Sequence, residues 1–368
     1  MTALPPLPPA PHVSVLMTTY NGARFVAESI DSVLAQTFSD FELVVVDDAS
    51  TDETASILAG YADPRLRVIR NAANLGVVGA RNRGFAELHG PYVATLDHDD
   101  VWLPTRLAAG VAQLDSHPAT VLVATQTLTK ADGQFVRAER PAAANSLLFR
   151  WMLLFDCPVV YSSLLFRREV ARRADGTFLR PELRYADDYE LMLRLVSAGD
   201  GSVLSEALTI YRVHGGNTTW QVLGEMYRNA VTVQTEHLTP YFGDEAEEAA
   251  RLIAWHIARR YPVPDRTTLR RLGTLLRRLT ETFIAAHRPE SEDRARIERY
   301  VRQTYWRTLR ASIRSGRIWL FGADRGGPTP SVHALGTLGD VAESLAVGML
   351  RLPARVFLSA HGKSLPKT

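Results

Sequence analysis

Asp97-His98-Asp99-Asp100 sets three carboxylates and an imidazole at the end of a short apolar run, Tyr92-Val93-Ala94-Thr95-Leu96. Carboxylates crowded at the tip of a hydrophobic strand repel one another unless a cation or hydrogen-bond donors neutralise them. Oxygen ligands suit hard divalent cations such as Mg2+ or Mn2+, which commonly keep positions open for substrate phosphates. One reading is therefore a metal that holds a diphosphate. The other is a solvated acidic turn that caps the next helix, and this stretch alone weighs the two evenly.

Other polar groups follow apolar runs in the same way. Thr18, Tyr20 and Asn21 come after Val13-Ser14-Val15-Leu16-Met17, and Asp47-Asp48 after Phe41-Glu42-Leu43-Val44-Val45-Val46. Asp187-Asp188 leads into Tyr189-Glu190-Leu191-Met192-Leu193-Arg194-Leu195, where simple N-cap chemistry is the competing explanation. Arg212 and His214 close the run Leu208-Thr209-Ile210-Tyr211, and such a histidine can cap a core as readily as bind a metal.

The elements that must carry these groups alternate. Strands are predicted at 13–17, 41–46 and 66–69 and ending at Asp97, separated by helices over 24–34, after the capping residues 50–52, and over 78–88. Such alternation implies an α/β domain with a parallel sheet, and ligands of open parallel sheets bind at the carboxyl ends of the strands. Three polar groups thus converge on one rim. No Gly-x-Gly-x-x-Gly follows the first strand and no Walker sequence is present, which disfavours a dinucleotide-binding domain. Asn74-Leu75-Gly76 with Gly79 reads as a tight turn or as a phosphate contact. A helix from Pro104 to Leu114, a strand over 121–124, a hairpin turn at Asp132-Gly133, a strand over 163–166 and a short helix over 167–173 follow; the alternation ends there.

With 368 residues and 46% hydrophobic content the chain can build a sizeable core. Its net charge of +2 gives no global case for nucleic-acid binding, although arginine thickens in the last third. The single cysteine, Cys157, excludes an intramolecular disulfide framework and reads as a small buried hydrophobe, consistent with a reducing compartment. The proline-rich start carries neither a basic region nor an apolar core segment and reads as a loose tail rather than a signal peptide. No apolar run approaches the roughly 18 residues that a membrane span needs. Basic amphipathic helices are predicted at 251–260, 269–276 and 294–314, readable as a peripheral contact with anionic lipid or as an appendage packed on the protein or on another subunit.

Assembled in order, these motifs resemble family 2 glycosyltransferases, with the A-type glycosyltransferase fold. Val13 through Gly22 looks like that family's opening nucleotide-binding strand and loop, Val46-Asp47-Asp48-Ala49-Ser50-Thr51-Asp52 is similar to its second motif, and Asn74-Leu75-Gly76 with Ala80-Arg81-Asn82-Arg83-Gly84 to the approach to its acid cluster. Asp97-His98-Asp99-Asp100 with Trp102 and Pro104 looks like its Asp-x-Asp element, Asp187-Asp188 stands where a Glu-Asp pair is usual, and Arg212-x-His214 resembles its late basic motif.

The resemblance implies roles. Asp48 would accept from a pyrimidine imide N–H, with Tyr20 packed on the base and Thr18 and Asn21 beside it, which favours a UDP- or dTDP-sugar donor. Asp97 would meet the ribose or the metal shell, Asp99 would ligate Mn2+ or Mg2+, and His214 would complete that shell. Arg81 would add a cation near the nucleotide, or else only fix the site through an ion pair with Asp48 or Asp97. Asp188 would be the general base of an inverting transfer to a hydroxyl on a saccharide or lipid-linked acceptor, with Trp102 and Asp187 on the acceptor side. Asp187 departs from the usual Glu and shortens the reach of that carboxylate. The expected layout is a tail at 1–11, a catalytic domain at 12–219 with a nucleotide-binding half at 12–117 and an acceptor-binding half at 118–219, a helical extension at 220–320, and a linker with a C-terminal amphipathic segment at 321–368. The expected setting is cell-surface polysaccharide or glycoconjugate synthesis in the cytoplasm, with peripheral attachment to the inner membrane face and homo-oligomerisation as further expectations. Two other functions share parts of this pattern: a nucleotidyltransferase, which would want a glycine-rich phosphate loop after the first strand, and a non-catalytic sugar-nucleotide-binding protein.

Overall fold

The computed structural model describes residues 10–131, 133–136, 145–217 and 222–317. The chain divides into two compact units between Pro240 and Tyr241.

In the first unit β1 (Val13–Thr19), β2 (Phe41–Asp47), β3 (Leu66–Arg70) and β4 (Tyr92–Asp97) are parallel, in the order β3-β2-β1-β4. Helices α1 (Val26–Leu34), α2 (Thr54–Ala59) and α3 (Gly76–Phe85) make the crossovers. Leu43, Val44, Val45 and Val46 are all 0% exposed, so β2 is covered on both faces, and its unbroken apolar sequence follows from that. Ile30 and Val33 of α1, with Leu107, Val111 and Leu114 of α4 (Arg106–Ser116), pack against Val15, Met17, Leu43, Val45, Ala94 and Leu96. Burying each large aliphatic side chain contributes about 1.5–3 kcal/mol. Thr18 is in register with Val46 on one side and with Asp97 on the other, so the three strands end level and present their following loops on one rim.

After β4 come β5 (Val101–Trp102), β6 (Thr120–Ala131), β7 (Gln134–Val136), α5 (Ser146–Leu153), β8 (Leu164–Arg167), α6 (Arg168–Ala171), α7 (Asp187–Ala198) and β9 (Asp200–Val213). β8 is antiparallel to both β4 and β6, β9 is parallel to β6, and β5 is antiparallel to β9, which makes the sheet mixed. β6 and β9 are both much longer than their apolar cores suggest. The outer half of β6 alternates Thr125, Thr127 and Thr129, all buried, and the Thr125 hydroxyl bonds that of Thr209 on β9 at 3.1 Å. Helix α8 (Leu223–Phe242) is tied to the rest of this unit by Gln234 Nε2 donating to the Phe155 carbonyl at 3.0 Å and by the Arg180–Glu236 ion pair at 2.7 Å.

In the second unit α9 (Ala246–Leu252) runs into a π-helical turn (Ile253–Ala258), followed by α10 (Arg266–His287) and α11 (Ser291–Arg314). Leu269, Leu272, Leu275, Leu276, Leu279 and Phe283 are the buried stripe of α10, and Ile297, Val301 and Tyr305 that of α11. Asp265 caps α10 by accepting from the Thr268 N–H at 2.7 Å. Part of the basic character is neutralised internally, since Arg271 pairs with Glu245 and Glu248 and Arg278 with Glu245. No described helix is long and apolar enough to cross a membrane. The expected linker and C-terminal amphipathic segment at 321–368 lie outside the described residues.

Candidate active site

The loops after β1 and β2 are stitched together. The Asn21 N–H donates to Ser50 Oγ at 2.9 Å, Asn21 Oδ1 accepts from the Thr51 N–H at 2.8 Å, and the Gly22 N–H donates to Thr54 Oγ1 at 2.9 Å. Asn21 and Ala49 sit at φ 51 and 62, a left-handed conformation that costs a non-glycine residue about 1–2 kcal/mol. A side chain at Gly22 would fall 2.7 Å from the His98 ring, so only glycine lets this loop approach β4. Asn21 is thus engaged within the loop pair through its amide oxygen, while the Tyr20 ring is 46% exposed on the rim and Thr18 is partly exposed.

Asp48 is buried. Its Oδ1 accepts from Asn71 Nδ2 at 2.7 Å and from the Leu75 N–H at 2.9 Å, and its Oδ2 from the Gly76 N–H at 2.9 Å. Gly76 takes φ +74 to turn its N–H inward, and these two backbone donors start α3 two residues before the predicted Val78. A carboxylate has about four lone-pair sites, so three donors leave Oδ2 able to accept one more.

The acidic cluster separates into different environments. Asp100 is 1% exposed and accepts from Ser162 Oγ and from the Arg212 N–H at 3.0 Å. Burial, then the charges of Asp99 and Asp97, push its pKa well above the usual carboxylate range. His98 gives its carbonyl to Ser29 Oγ at 2.7 Å. Both residues hold the strand end in place. Asp97 and Asp99 are more open, with side chains 33% and 16% exposed.

The segment Tyr161–Ser163, of which only Ser163 was expected to belong to an element, as the start of a strand, is the brace of this tip. Ser162 Oγ also accepts from the Asp97 N–H at 3.0 Å, the Ser162 carbonyl accepts from Trp102 Nε1 at 2.7 Å, and Thr95 Oγ1 donates to the Tyr161 carbonyl at 2.6 Å. Two serines before an apolar strand were the available signal. Trp102, expected on the acceptor side, is instead core: it is 2% exposed and its ring is covered by the Arg106 guanidinium at 4.3 Å.

Arg81 joins the two halves. Its Nη2 lies 2.9 Å from Asp97 Oδ1, its Nη1 2.6 Å from Asp187 Oδ2, and its guanidinium stacks on the Tyr161 ring at 3.6 Å. The partners are Asp97 and Asp187; Asp48, the other partner considered, is engaged by Asn71 and the α3 amides. Asp187, expected toward the acceptor, is 1% exposed and faces Arg81, because a side chain as short as Asp at the start of α7 ends at that cation. Asp188 is half-buried and accepts from its neighbour's Tyr189 N–H at 2.8 Å. Burial, then the Asp187 charge, push it up to about 7 against the pull of Arg81. Tyr185, just before α7, is a third non-glycine residue in the left-handed region, at φ 64.

At the other end of the rim His214 Nε2 meets Asp99 Oδ2 at 3.0 Å, and Asn217 Nδ2 donates to the same oxygen at 3.3 Å. The His214 ring stacks on Phe25 at 4.5 Å, and its Nδ1 accepts from the Gly216 N–H at 3.1 Å, which puts the neutral ring's hydrogen on Nε2, facing Asp99. Arg212 pairs with Glu28 at 2.8 Å. Asn217, Phe25 and Glu28 were not singled out in the sequence. Among the described residues no three His, Cys, Asp or Glu side chains form a ready cage for a metal. Asp99 and the free oxygen of Asp97 nevertheless suit a hard cation whose remaining positions go to water and phosphate oxygens. His214 can join them only by giving up its Nε2 hydrogen and the Gly216 contact.

A family model described as Glycosyl transferase family 2 matches residues 14–173. The chain is 34% identical over 202 residues to the putative glycosyltransferase EpsE of Bacillus subtilis, covering 54% of this chain and 72% of that one. It is 26% identical over 219 residues to the UDP-Glc:alpha-D-GlcNAc-diphosphoundecaprenol beta-1,3-glucosyltransferase WfaP of Escherichia coli, covering 59% of this chain and 84% of that one. The S. aureus TarS 1–349 structure in complex with UDP-GlcNAc superposes with a TM-score of 0.56 at 22% identity, over 85% of this chain and 94% of that one, a likeness of fold.

Proposed function

The chain belongs to glycosyl transferase family 2 and has the A-type glycosyltransferase fold, and from that premise we propose an inverting transfer of a sugar from a UDP- or dTDP-sugar to an acceptor hydroxyl. The observation that carries the reading is Asp188. It stands half-buried at the start of α7, its pKa raised to about 7 by burial and by the charge of Asp187, the neighbour that Arg81 ties to Asp97 at the end of β4. A general base works best when its pKa lies near the operating pH, and a positioned one contributes about 100-fold to 10,000-fold in rate.

Tyr20 offers an exposed ring for the base to pack on, and the remaining lone pair of Asp48 faces an imide N–H. Asp97 keeps one oxygen that would meet the ribose or the cation's water shell, and Asp99 would hold the cation. Such a divalent ion, Mn2+ or Mg2+, would supply positive charge for the departing diphosphate when bound. Asp188 takes the acceptor's proton as the acceptor oxygen bonds to the anomeric carbon, and the electrons of the breaking glycosyl–phosphate bond leave with the nucleoside diphosphate. A single displacement inverts the anomeric centre.

For the acceptor we favour a lipid-linked saccharide in cell-surface polysaccharide synthesis, reached from the cytoplasmic face of a membrane. Support comes from the E. coli relative, whose name specifies a diphosphoundecaprenol-linked acceptor. A panel of nucleotide sugars, screened for binding and slow hydrolysis with and without Mn2+, tests the reading. Uridine or thymidine sugars that bind and are hydrolysed support it; binding without turnover of any sugar points to a non-catalytic sensor.

A further inference from the structure

Asn217 stands just beyond the end of β9 at Val213, is 6% exposed, and spends its side-chain amide on three partners. Its Oδ1 accepts from the His214 N–H at 2.6 Å, and its Nδ2 donates to the Arg212 carbonyl at 3.2 Å and to Asp99 Oδ2 at 3.3 Å. The Asn217 N–H returns to the His214 carbonyl at 3.2 Å. These partners fix which way the amide faces: reversed, its oxygen would meet a carbonyl and a carboxylate, and its NH2 group a backbone N–H. Nδ2 has one hydrogen for each of its two acceptors, so none is left over.

The second group that meets Asp99 from this loop is also a donor. His214 Nδ1 is taken by the Gly216 N–H at 3.1 Å, so Nε2, 3.0 Å from the same Asp99 Oδ2, carries the ring hydrogen, and stacking on Phe25 at 4.5 Å holds the ring in that plane. Two hydrogens thus converge on Oδ2, and among the described residues no donor is found on Oδ1. The loop also fixes the neighbouring carboxylate, since the Arg212 N–H donates to Asp100 Oδ1 at 3.0 Å.

Hydrogen bonds and a cation compete for the same lone pairs. An oxygen that already holds two N–H groups is the weaker ligand, and a carboxylate that offers one oxygen takes up one coordination position, which leaves the others to water and phosphate oxygens. We propose that Asn217 is a positioning residue: with the Nε2–H of His214 it occupies one oxygen of Asp99 and leaves the other as the single oxygen this side chain offers a divalent cation. Without the amide Asp99 keeps one hydrogen bond and is free to turn about its side-chain torsions and present either oxygen. On this account His214 orients a ligand rather than being one. The inference rests on the reading above for Asp99 as the residue that would hold the cation, and adds to it the mode of contact and the residue that sets it.

The test is titration calorimetry of UDP binding to the full-length protein, in chelator and over a series of Mn2+ concentrations, with thermal unfolding of each variant. Wild type is expected to bind UDP more tightly as Mn2+ is added, and Asp99→Ala to lose that gain. In Asn217→Ala the Mn2+ concentration that gives half of the gain should rise about tenfold to 100-fold, the range for a partner of a metal-ligating side chain, while UDP affinity in chelator stays within about twofold of wild type. Asn217→Ser, which retains a polar group beside the His214 N–H but is too short to reach Asp99, should follow Asn217→Ala and serves where that variant does not fold. An unchanged Mn2+ requirement in the Asn217 variants, beside an Asp99→Ala that has lost the gain, overturns the proposal and leaves Asp99 in its role. A loss of UDP affinity as large in chelator as in Mn2+ also overturns it, because Asn217 would then only hold the loop. A wild type that binds no UDP, or binds it equally well without Mn2+, removes the reading above and this inference together.

Discussion

Arg81 and Asp187, 106 positions apart, form a 2.6 Å ion pair that is almost wholly buried, and the same guanidinium reaches Asp97 at 2.9 Å. One cation therefore serves the carboxylate that ends β4 and the one that opens α7. Its substitution is felt on both sides. Arg81→Met leaves Asp187 charged, buried and alone, and removing one partner of such a pair costs about 3–5 kcal/mol. The expected outcome is a clear fall in Tm with loss of transfer. Arg81→Lys keeps the charge but cannot bridge both carboxylates in a planar fork, so transfer falls further than stability, as thermal unfolding and kcat measured together would reveal.

Asp188→Asn keeps the size of the side chain and its place on α7 but cannot take a proton. Donor binding is expected to stay within about twofold while kcat falls by about 100-fold to 10,000-fold. Titration calorimetry and an acceptor-dependent transfer assay separate the two. Transfer retained in this variant would remove Asp188 from its role.

The pH profile follows from the same carboxylate. Asp188 acts as a base only when ionised, and burial with the neighbouring Asp187 charge raises its pKa to about 7. The rate is therefore expected to climb with pH through about 7 and then level. Asp187→Asn removes the charge that raises it, so the midpoint should move to lower pH. A midpoint that moves upward, or not at all, contradicts the assignment.

Asp99→Ala removes the carboxylate paired with His214 at 3.0 Å. Donor binding measured in Mn2+ should weaken at least tenfold in this variant, and chelation should lower the wild type toward the same level. Identical donor affinity with and without chelator would separate Asp99 from any metal. His214→Ala, whose ring nitrogen already carries a hydrogen toward Asp99, should have the smaller effect.

Much of this arrangement was legible in the chain. The apolar runs of β1, β2 and β4 end in their polar residues because a sheet covered on both faces leaves only strand ends for chemistry, and the level ends of Thr18, Val46 and Asp97 follow from the pairing. The sequence does not disclose which carboxylates are spent on structure. Asp100 and Asp97 look alike as letters, yet Ser162 and the Arg212 N–H claim the first while Arg81 claims one oxygen of the second. Trp102 and Asp187 were misplaced for the same reason: their partners, Ser162 and Arg81, lie about 60 and 106 positions away, beyond any local pattern. The outer part of β6 escaped because its alternating buried threonines lack an apolar signature.

Asp100 draws on donors from two later segments, Ser162 and Arg212, across separations of 62 and 112 residues. Contacts that span so much chain are slow to form, since the loop entropy is spent before the contact stabilises anything. Strands β1 to β4 can pair early, but Asp100 lacks its donors until the segments that carry Ser162 and Arg212 arrive. A fragment ending near residue 117 would carry every strand from β1 to β5 and still lack both donors of Asp100. The acidic tip thus depends on chain that is made well after it, so its geometry is complete only when the segments carrying Ser162 and Arg212 are in place.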